Sequence, residues 1–372
     1  VVVATGRDSA RTYREAGVDI DLAAAAVARI ADRARRAFGR PETAGEVVSS
    51  GIGHFGGIFR LPGDPTRTLV ASADGVGTKL KLAFVLGGDA HAGIGRDLVN
   101  HCANDILAMG ATPLFFLDYV AMGTLDPNII DAVVGGMIDA CQDNGLVLLG
   151  GETAEMPGLY APGEYDLAGF IVGEAPGGQV IDGSAVEAGD VLIGLPSDGL
   201  HTNGYSLARR VIGLDGDPDH DRGILAAPLP GGDGRSVGEA LMAPHRPYAA
   251  EVRPLLGRGW VRGMAHVTGG GLPGNVPRML PPGLAAAFEP HRWDLDPLFV
   301  HLVEAGRIAP DEAARAFNMG IGFVLAVGAE VEADVFASLP TARRIGAVVS
   351  ADDQDDQAQS TVWGNPQWRQ DL

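Results

Sequence analysis

One stretch limits what this chain can become: the apolar run Thr68-Leu-Val-Ala-Ser-Ala-Asp74 and the turn Gly75-Val-Gly-Thr-Lys79 behind it. β-Branched and aliphatic residues that stop at glycine read as a buried strand with a tight turn at its end. A carboxylate, two glycines and a lysine at a strand end are also the parts of a phosphate and metal site. Glycines let backbone N–H groups approach phosphate oxygens, lysine adds a point charge, and aspartate can hold Mg²⁺. The spacing is not the G-x-x-x-x-G-K-[ST] loop, which the sequence lacks. A plain turn needs only the glycines, so spacing alone leaves both readings open. Lysine usage favours the site: Lys79 and Lys81 are the only lysines, and arginine supplies the other 26 of the 28 basic residues. A chain that keeps lysine only here has a use for a compact ammonium that guanidinium does not replace.

The 372 residues are enough for two domains with proper cores. An apolar content of 46% with 20% charged residues describes a soluble globular protein, expected in the cytoplasm. The chain begins at Val1, which leaves room for processing or an upstream segment; no secretory h-region and no long apolar span is present. A net charge of −19 argues against a nucleic-acid partner, which would need clustered lysine and arginine. Cys102 and Cys141 form no C-x-x-C pair and read as core thiols.

Taken in order, residues 1–12 carry no pattern and are expected to fray. An alanine-rich amphipathic helix is expected from about Leu22 to Phe38. Gly51-Ile-Gly-His-Phe-Gly-Gly57 is too glycine-dense for a helix and reads as a loop able to close over phosphates, or as a flexible connection. A helix from about Ile94 to Met109 sets Asp97, His101 and Asp105 on one face. That face suits a metal or, more commonly, a solvated polar stripe; Asn104-Asp105 is the preferred working pair because it approaches the strand Thr112–Val120. A helix over about Pro127–Asn144 precedes Leu146-Val-Leu-Leu-Gly-Gly-Glu-Thr153, which repeats the theme of apolar strand, paired glycines, carboxylate and hydroxyl. Asp74, Asp105 and Glu152 thus lie at element ends, and carboxylates brought together repel unless a cation joins them, so Mg²⁺ is expected.

The strand Leu167–Gly173 closes this half, and Gly/Pro-rich residues 175–190 mark an expected boundary between domains 1–174 and 175–372. A strand over Asp190–Leu195 leads to Ser197-Asp-Gly-Leu-His-Thr-Asn-Gly-Tyr-Ser206, richer in polar groups than a helix cap needs and suited to an anion or polar ligand. Asp215-Gly-Asp-Pro-Asp-His-Asp221 imitates an EF-hand start but has Ala226 where the glutamate belongs, so it reads as a solvated loop. A helix near Tyr248–Leu256 precedes His266-Val-Thr-Gly-Gly-Gly271, a second phosphate-capable turn. Phe317-Asn-Met-Gly-Ile-Gly322 runs into a late strand, and Asp352–Gln357 is an acidic, solvated segment. His54, His91, His245 and His291 show no ligand-like partners.

These pieces resemble one family, the phosphoribosylformylglycinamidine cyclo-ligases, also called aminoimidazole ribonucleotide synthetases. The resemblance rests on Tyr13–Ile20, Asp74–Lys79, Asn104-Asp105, Pro113–Asp118, Gly150–Gly158, His201–Ser206, His266–Gly271 and Phe317–Gly322, nearly the whole chain. It implies an α/β (α+β) fold of two domains, an N-terminal one with sheet and helices that dimerises and a C-terminal α/β one. It implies closure of formylglycinamidine ribonucleotide to 5-aminoimidazole ribonucleotide in purine synthesis, with ATP phosphorylating the formyl oxygen and phosphate leaving as the ring forms. His201, Lys79 and Asp105 would be catalytic. ATP would sit on Gly53, Gly56, Gly57, Asp74, Gly75, Gly77, Thr78, Lys79, Gly151, Glu152 and Thr153. Substrate would sit on Ser197, His201, Asn203, His266, Thr268, Gly269 and Gly270. Asp74, Asp105 and Glu152 would hold Mg²⁺, with K⁺ a further cofactor candidate, in a homodimer without nucleic-acid or membrane partners.

Two departures stand out. Ala31, Arg33, Arg35 and Arg36 occupy a helix where the family often has lysine, and His101 is outside the family's motif. Rival readings fit less well: selenophosphate synthetase needs cysteine or selenocysteine in the first Gly-rich loop, and thiamine-monophosphate kinase lacks the wording of Gly150–Gly158 and His201–Ser206. A silent nucleotide-binding subunit is disfavoured by the intact carboxylates and Lys79.

Overall fold

A computed structural model describes residues 12–38, 54–61, 63–64, 66–176, 179–351 and 361–363. Gly51–Gly53, and with them the nucleotide candidate Gly53, lie outside the described residues, as do residues 1–11 and the acidic segment Asp352–Gln357.

Strands β1 (Gly57–Arg60), β2 (Thr68–Asp74), β3 (Thr112–Met122), β4 (Val147–Glu155) and β5 (Tyr165–Ala175) form a sheet in the order β1-β2-β5-β3-β4. All its pairings are antiparallel except β3 with β4. Helix α1 (Ile20–Phe38) precedes it, the short α2 (Leu80–Leu86) follows the turn after β2, and α3 (Asp89–Leu107) and α4 (Pro127–Asn144) complete this half. The sequence dictates the bounds of α4: Asp126 accepts from the N–H groups of Asn128 and Ile129, Pro127 fills the first turn, and Gly145 ends it in a left-handed conformation.

Helix α3 lies directly on β5. A Cβ at Gly169 would meet Phe116 of β3 at 2.3 Å and Leu98 of α3 at 3.0 Å, so glycine there makes room for both. Helices α3 and α4 approach as closely, since a Cβ at Gly95 would lie 2.0 Å from the Val133 carbonyl. The opposite face of the sheet carries exposed apolar groups, among them Phe59, Val147, Leu149 and Phe170.

The second half holds β6 (Val191–Pro196), β7 (Val261–His266), β8 (Leu284–Phe288), β9 (Ile321–Val327), β10 (Arg343–Ser350) and β11 (Thr361–Trp363) in the order β11-β8-β10-β6-β9-β7. Helices α5 (Tyr205–Val211), α6 (Pro218–Ala226), α7 (Val237–Leu241), α8 (Ala249–Leu256), α9 (Gly271–Asn275), α10 (Pro297–Gly306), α11 (Pro310–Ala316) and α12 (Glu332–Ser338) are distributed around it. Every residue of β9 is buried, as expected for a central strand. One apolar cluster runs through both sheets, and a second joins Tyr13 and Leu82 to the helices of the second half. This mixed two-sheet architecture is the α/β (α+β) class expected. Among the described residues no helix is long and apolar enough to cross a membrane.

Candidate active site at the seam between the sheets

The polar face of α3 frames the site. Asp97, Asn100, His101, Asn104 and Asp105 recur at helical spacing, and all are buried. The solvated stripe expected there is corrected: the segment Ala243–Tyr248 of the second half covers it. Asp97 accepts from the His245 N–H at 2.7 Å, Asn100 donates to the His245 carbonyl at 2.7 Å, and Asn104 donates to the Arg246 carbonyl at 2.8 Å. Asn104 also accepts from the Tyr248 N–H at 3.1 Å. A buried polar group needs a partner, and Asp97, Asn100 and Asn104 find theirs in the facing backbone.

Lys79 belongs to the same joint. Its side chain is fully buried, Nζ lies 2.6 Å from Asp97 Oδ2, and it donates to the Ala243 carbonyl at 2.8 Å. The ammonium expected at the phosphates is here held in a buried ion pair with Asp97. Burial pushes the Asp97 carboxyl up, against the opposing pull of the Lys79 ammonium. The rarity of lysine had a physical reason, but a packing one.

Four imidazoles gather beside this joint. His201 stacks on His245 with ring centroids 4.1 Å apart, and His101 and His266 each lie 5.1 Å from His245. His245 Nε2 is 3.0 Å from His266 Nε2, and His266 Nδ1 is 2.8 Å from Asp105 Oδ1. On the other side His101 Nδ1 is 2.6 Å from Thr202 Oγ1 and His101 Nε2 is 2.7 Å from Asp74 Oδ2. Asp105 Oδ2 accepts from Ser72 Oγ at 2.9 Å. His245 had shown no partner in the sequence; the fold gives it several. His91, read the same way, bonds Tyr165 OH at 3.0 Å.

Electrostatics divides the four rings. Burial lowers His201 and His245 well below the ordinary histidine range, with neighbouring positive groups adding to it, so both are neutral. Burial also lowers His266, though the Asp105 charge opposes it. Burial pulls His101 down too, yet the carboxylates Asp74, Asp105 and Asp97 together push it up to about 9. Asp74 in turn is held below its usual value, burial being outweighed mainly by His101.

The expected carboxylate triad is not formed within one chain. Asp74 lies on the side of the sheet that α3 and its Asp105 cover, but β4 pairs Gly151 with Asp118 and Glu152 with Tyr119. A Cβ at Gly151 would run into the Asp118 side chain, so alternation turns the exposed Glu152 to the other face of the sheet. Gly151, Glu152 and Thr153 also lie inside β4, not at the element end expected. Gly56 packs against Val70, and Gly57 opens β1. Gly75 and Gly77 do form a turn after Asp74, with Gly77 at φ +57°, and Thr78 Oγ1 reaches Ser206 Oγ at 3.0 Å across the seam.

In the second half, Ser197 donates to Asn318 at 3.0 Å and Asn203 faces Gly269. The turn Thr268–Gly271 is held by Asn275, which donates to the Gly271 carbonyl at 2.9 Å. Arg278 lies 3.8 Å over the Phe55 ring and donates to Asn275 Oδ1 at 3.1 Å. Asp217 caps α6 in the EF-like segment, and Asp221 accepts from the N–H groups of Asp215 and Gly216.

Known proteins match this arrangement along most of its length. The model for the N-terminal domain of AIR synthase related proteins matches residues 53–175, and that for their C-terminal domain matches residues 187–357. A phosphoribosylformylglycinamidine cyclo-ligase of Synechococcus sp. is 47% identical over 358 residues, covering 96% of this chain and 97% of that one. The cyclo-ligase of Geobacillus thermodenitrificans is 48% identical over 325 residues, covering 87% and 90%.

The chain belongs to the phosphoribosylformylglycinamidine cyclo-ligase family.

Solved structures agree on fold. The Thermus thermophilus protein tt0281 has a TM-score of 0.58 at 21% identity, covering 88% of this chain and 94% of that one. A thiamine-monophosphate kinase of Stenotrophomonas maltophilia has a TM-score of 0.57 at 18% identity, covering 90% and 95%. For this cyclo-ligase the sequence reading missed His245, Thr202, Asn275 and Arg278. Asn275 and Arg278 follow the glycine turn by a few residues, a usable signal; His245 had none, because its neighbours come from distant segments.

Proposed function

We propose that this cyclo-ligase closes formylglycinamidine ribonucleotide to 5-aminoimidazole ribonucleotide at the expense of ATP, and that the reaction takes place at the seam. Family membership carries the reaction. The observation that carries the site is that Asp105 from the first half is hydrogen-bonded to His266 from the second, His266 to His245, and His245 is stacked on His201, with Asp74 beside them paired to His101.

The residues fit magnesium-bound ATP. Asp74 ends its strand with the side chain 44% exposed, beside a glycine turn, and Asp105 is the second carboxylate on that face. These two would hold Mg²⁺, with Gly75, Gly77 and Thr78 near the phosphates; K⁺ is a testable additive. Bound ATP supplies the phosphoryl group that makes the formyl oxygen a leaving group.

His201 has the chemistry to assist. Its Nε2 accepts from the Asp198 N–H at 3.3 Å, so the neutral ring carries its proton on Nδ1, which has no protein partner. A buried N–H donor left for a ligand suits an amide oxygen on which charge develops. Asn203 and the turn Thr268–Gly270 would position the ribonucleotide, with Ser197 supporting from below. The division 1–174 and 175–372 assigns ATP to one domain and substrate to the other.

On this reading the enzyme is a cytoplasmic homodimer joined through the open face of the first sheet, with no nucleic-acid partner. Incubation of the pure protein with ATP, Mg²⁺ and formylglycinamidine ribonucleotide tests it by formation of aminoimidazole ribonucleotide. His201→Asn should lower kcat by about 10²–10³ with ATP affinity retained. A variant with wild-type kcat removes His201 from the reaction.

A further inference from the structure

The hydrogen bonds around His245 have one consistent direction. Asp105 Oδ1 is a carboxylate oxygen, so His266 Nδ1, 2.8 Å away, carries the proton. The neutral His266 ring is then bare at Nε2, and His245 Nε2, 3.0 Å from it, must donate. That leaves His245 Nδ1 bare toward Thr202 Oγ1 at 3.4 Å, and the Thr202 oxygen takes its own bond from His101 Nδ1 at 2.6 Å. No donor faces a donor anywhere in the series. The same His245 ring is the surface against which His201 lies, 4.1 Å between centroids and 23° between planes.

We infer that His245 is a positioning residue for ring closure: its Nε2–H fixes His266 on Asp105, and its ring face fixes the plane of His201. The inference rests on the proposed reaction for its kinetic consequence but not for its structural one. His245 is anchored well enough for the role, because its own N–H is held by Asp97 and its carbonyl by Asn100. Its ring meets Thr202, His101, His201 and His266, so it acts through His201 and His266. A group that must aim another within a few tenths of an ångström has to be locked itself, and a misaimed donor forfeits rate before it forfeits binding.

Two substitutions divide the role. His245→Phe keeps the stacking face and removes the donor; His245→Gln keeps a donor and an acceptor and removes the ring. Where the donor to His266 matters, the Phe variant should lose kcat by about 10²-fold with KM for ATP unchanged, and the Gln variant should recover part of that loss. Equal losses in both variants that track a lowered melting temperature would mark His245 as purely structural, and a Phe variant with wild-type kcat would likewise overturn the role. A second measurement needs no turnover: ¹⁵N spectra of the histidine rings in the free wild-type enzyme, with His245→Gln for assignment. The expected result is a proton on His266 Nδ1 and on His245 Nε2; a His245 ring protonated on Nδ1 contradicts the inference even if the enzyme is active. If the wild-type protein forms no product while the spectra show the expected protons, the proposed reaction fails and the positioning geometry stands.

Discussion

Lys79 and His101 show how a residue's surroundings decide what its charge is for. Lys79 sits in a buried pair with Asp97, and removing one partner of such a pair strands the other charge. Lys79→Met should therefore cost about 3–5 kcal/mol in a urea titration. Unchanged stability together with lost turnover would return Lys79 to the phosphates. His101 gives a pH dependence whose sign can be worked out. Its folded value of about 9 exceeds the ordinary 6.5, so folding favours the protonated ring. The contribution is complete below about pH 6.5 and is lost as pH rises through about 9. The stability gap between wild type and His101→Gln, on the order of 3 kcal/mol at its largest, should shrink across that window. A gap that widens with pH would contradict the assignment. The sequence showed that lysine was special and that Asp97, His101 and Asp105 share a face. It did not show what covers that face, because the cover is a segment about 140 residues further along the chain and pairs through its backbone, which leaves no side-chain signature.

At the scale of elements, α3 works because small residues let it sink between α4 and the sheet. A Cβ at Gly95 or at Gly136 would each stand 2.0 Å from a backbone carbonyl of the neighbouring helix. Gly95→Ala should destabilise by about 1–3 kcal/mol and also lower activity, since the helix carries His101 and Asp105 on its other side. A surface glycine such as Gly93, with open space around it, serves as the control in the same thermal melts. A Gly95→Ala variant as stable as the Gly93→Ala control would mean the helices part freely. Elements with strong local signals were legible: Thr68–Asp74 and Pro127–Asn144 fall where the sequence puts them. Leu146–Thr153 was legible as a strand but not in its extent. Its paired glycines read as the end of the strand, whereas pairing with β3 continues through them and sends Glu152 to the far face. Side-chain alternation there depends on register, and register depends on a partner strand that sequence spacing does not specify.

Across the whole molecule, two sheets meet at one seam, and the reactive groups proposed here are drawn from both sides of it. The open face of the first sheet, with Val147 61% and Leu149 63% exposed, is more apolar than a solvated face needs to be. If copies of the chain join there, Leu149→Arg with Phe170→Glu should convert a dimer to a monomer in sedimentation experiments; an unaltered dimer would place the interface elsewhere. The central claim, activation of the formyl oxygen by ATP at the seam, has a direct test in the fate of that oxygen. Formylglycinamidine ribonucleotide labelled with ¹⁸O in the formyl group is converted by the enzyme with ATP and Mg²⁺, and the released phosphate is examined by mass spectrometry. Phosphate carrying the label, one oxygen per imidazole formed, is the predicted result; unlabelled phosphate alongside the imidazole product would contradict it.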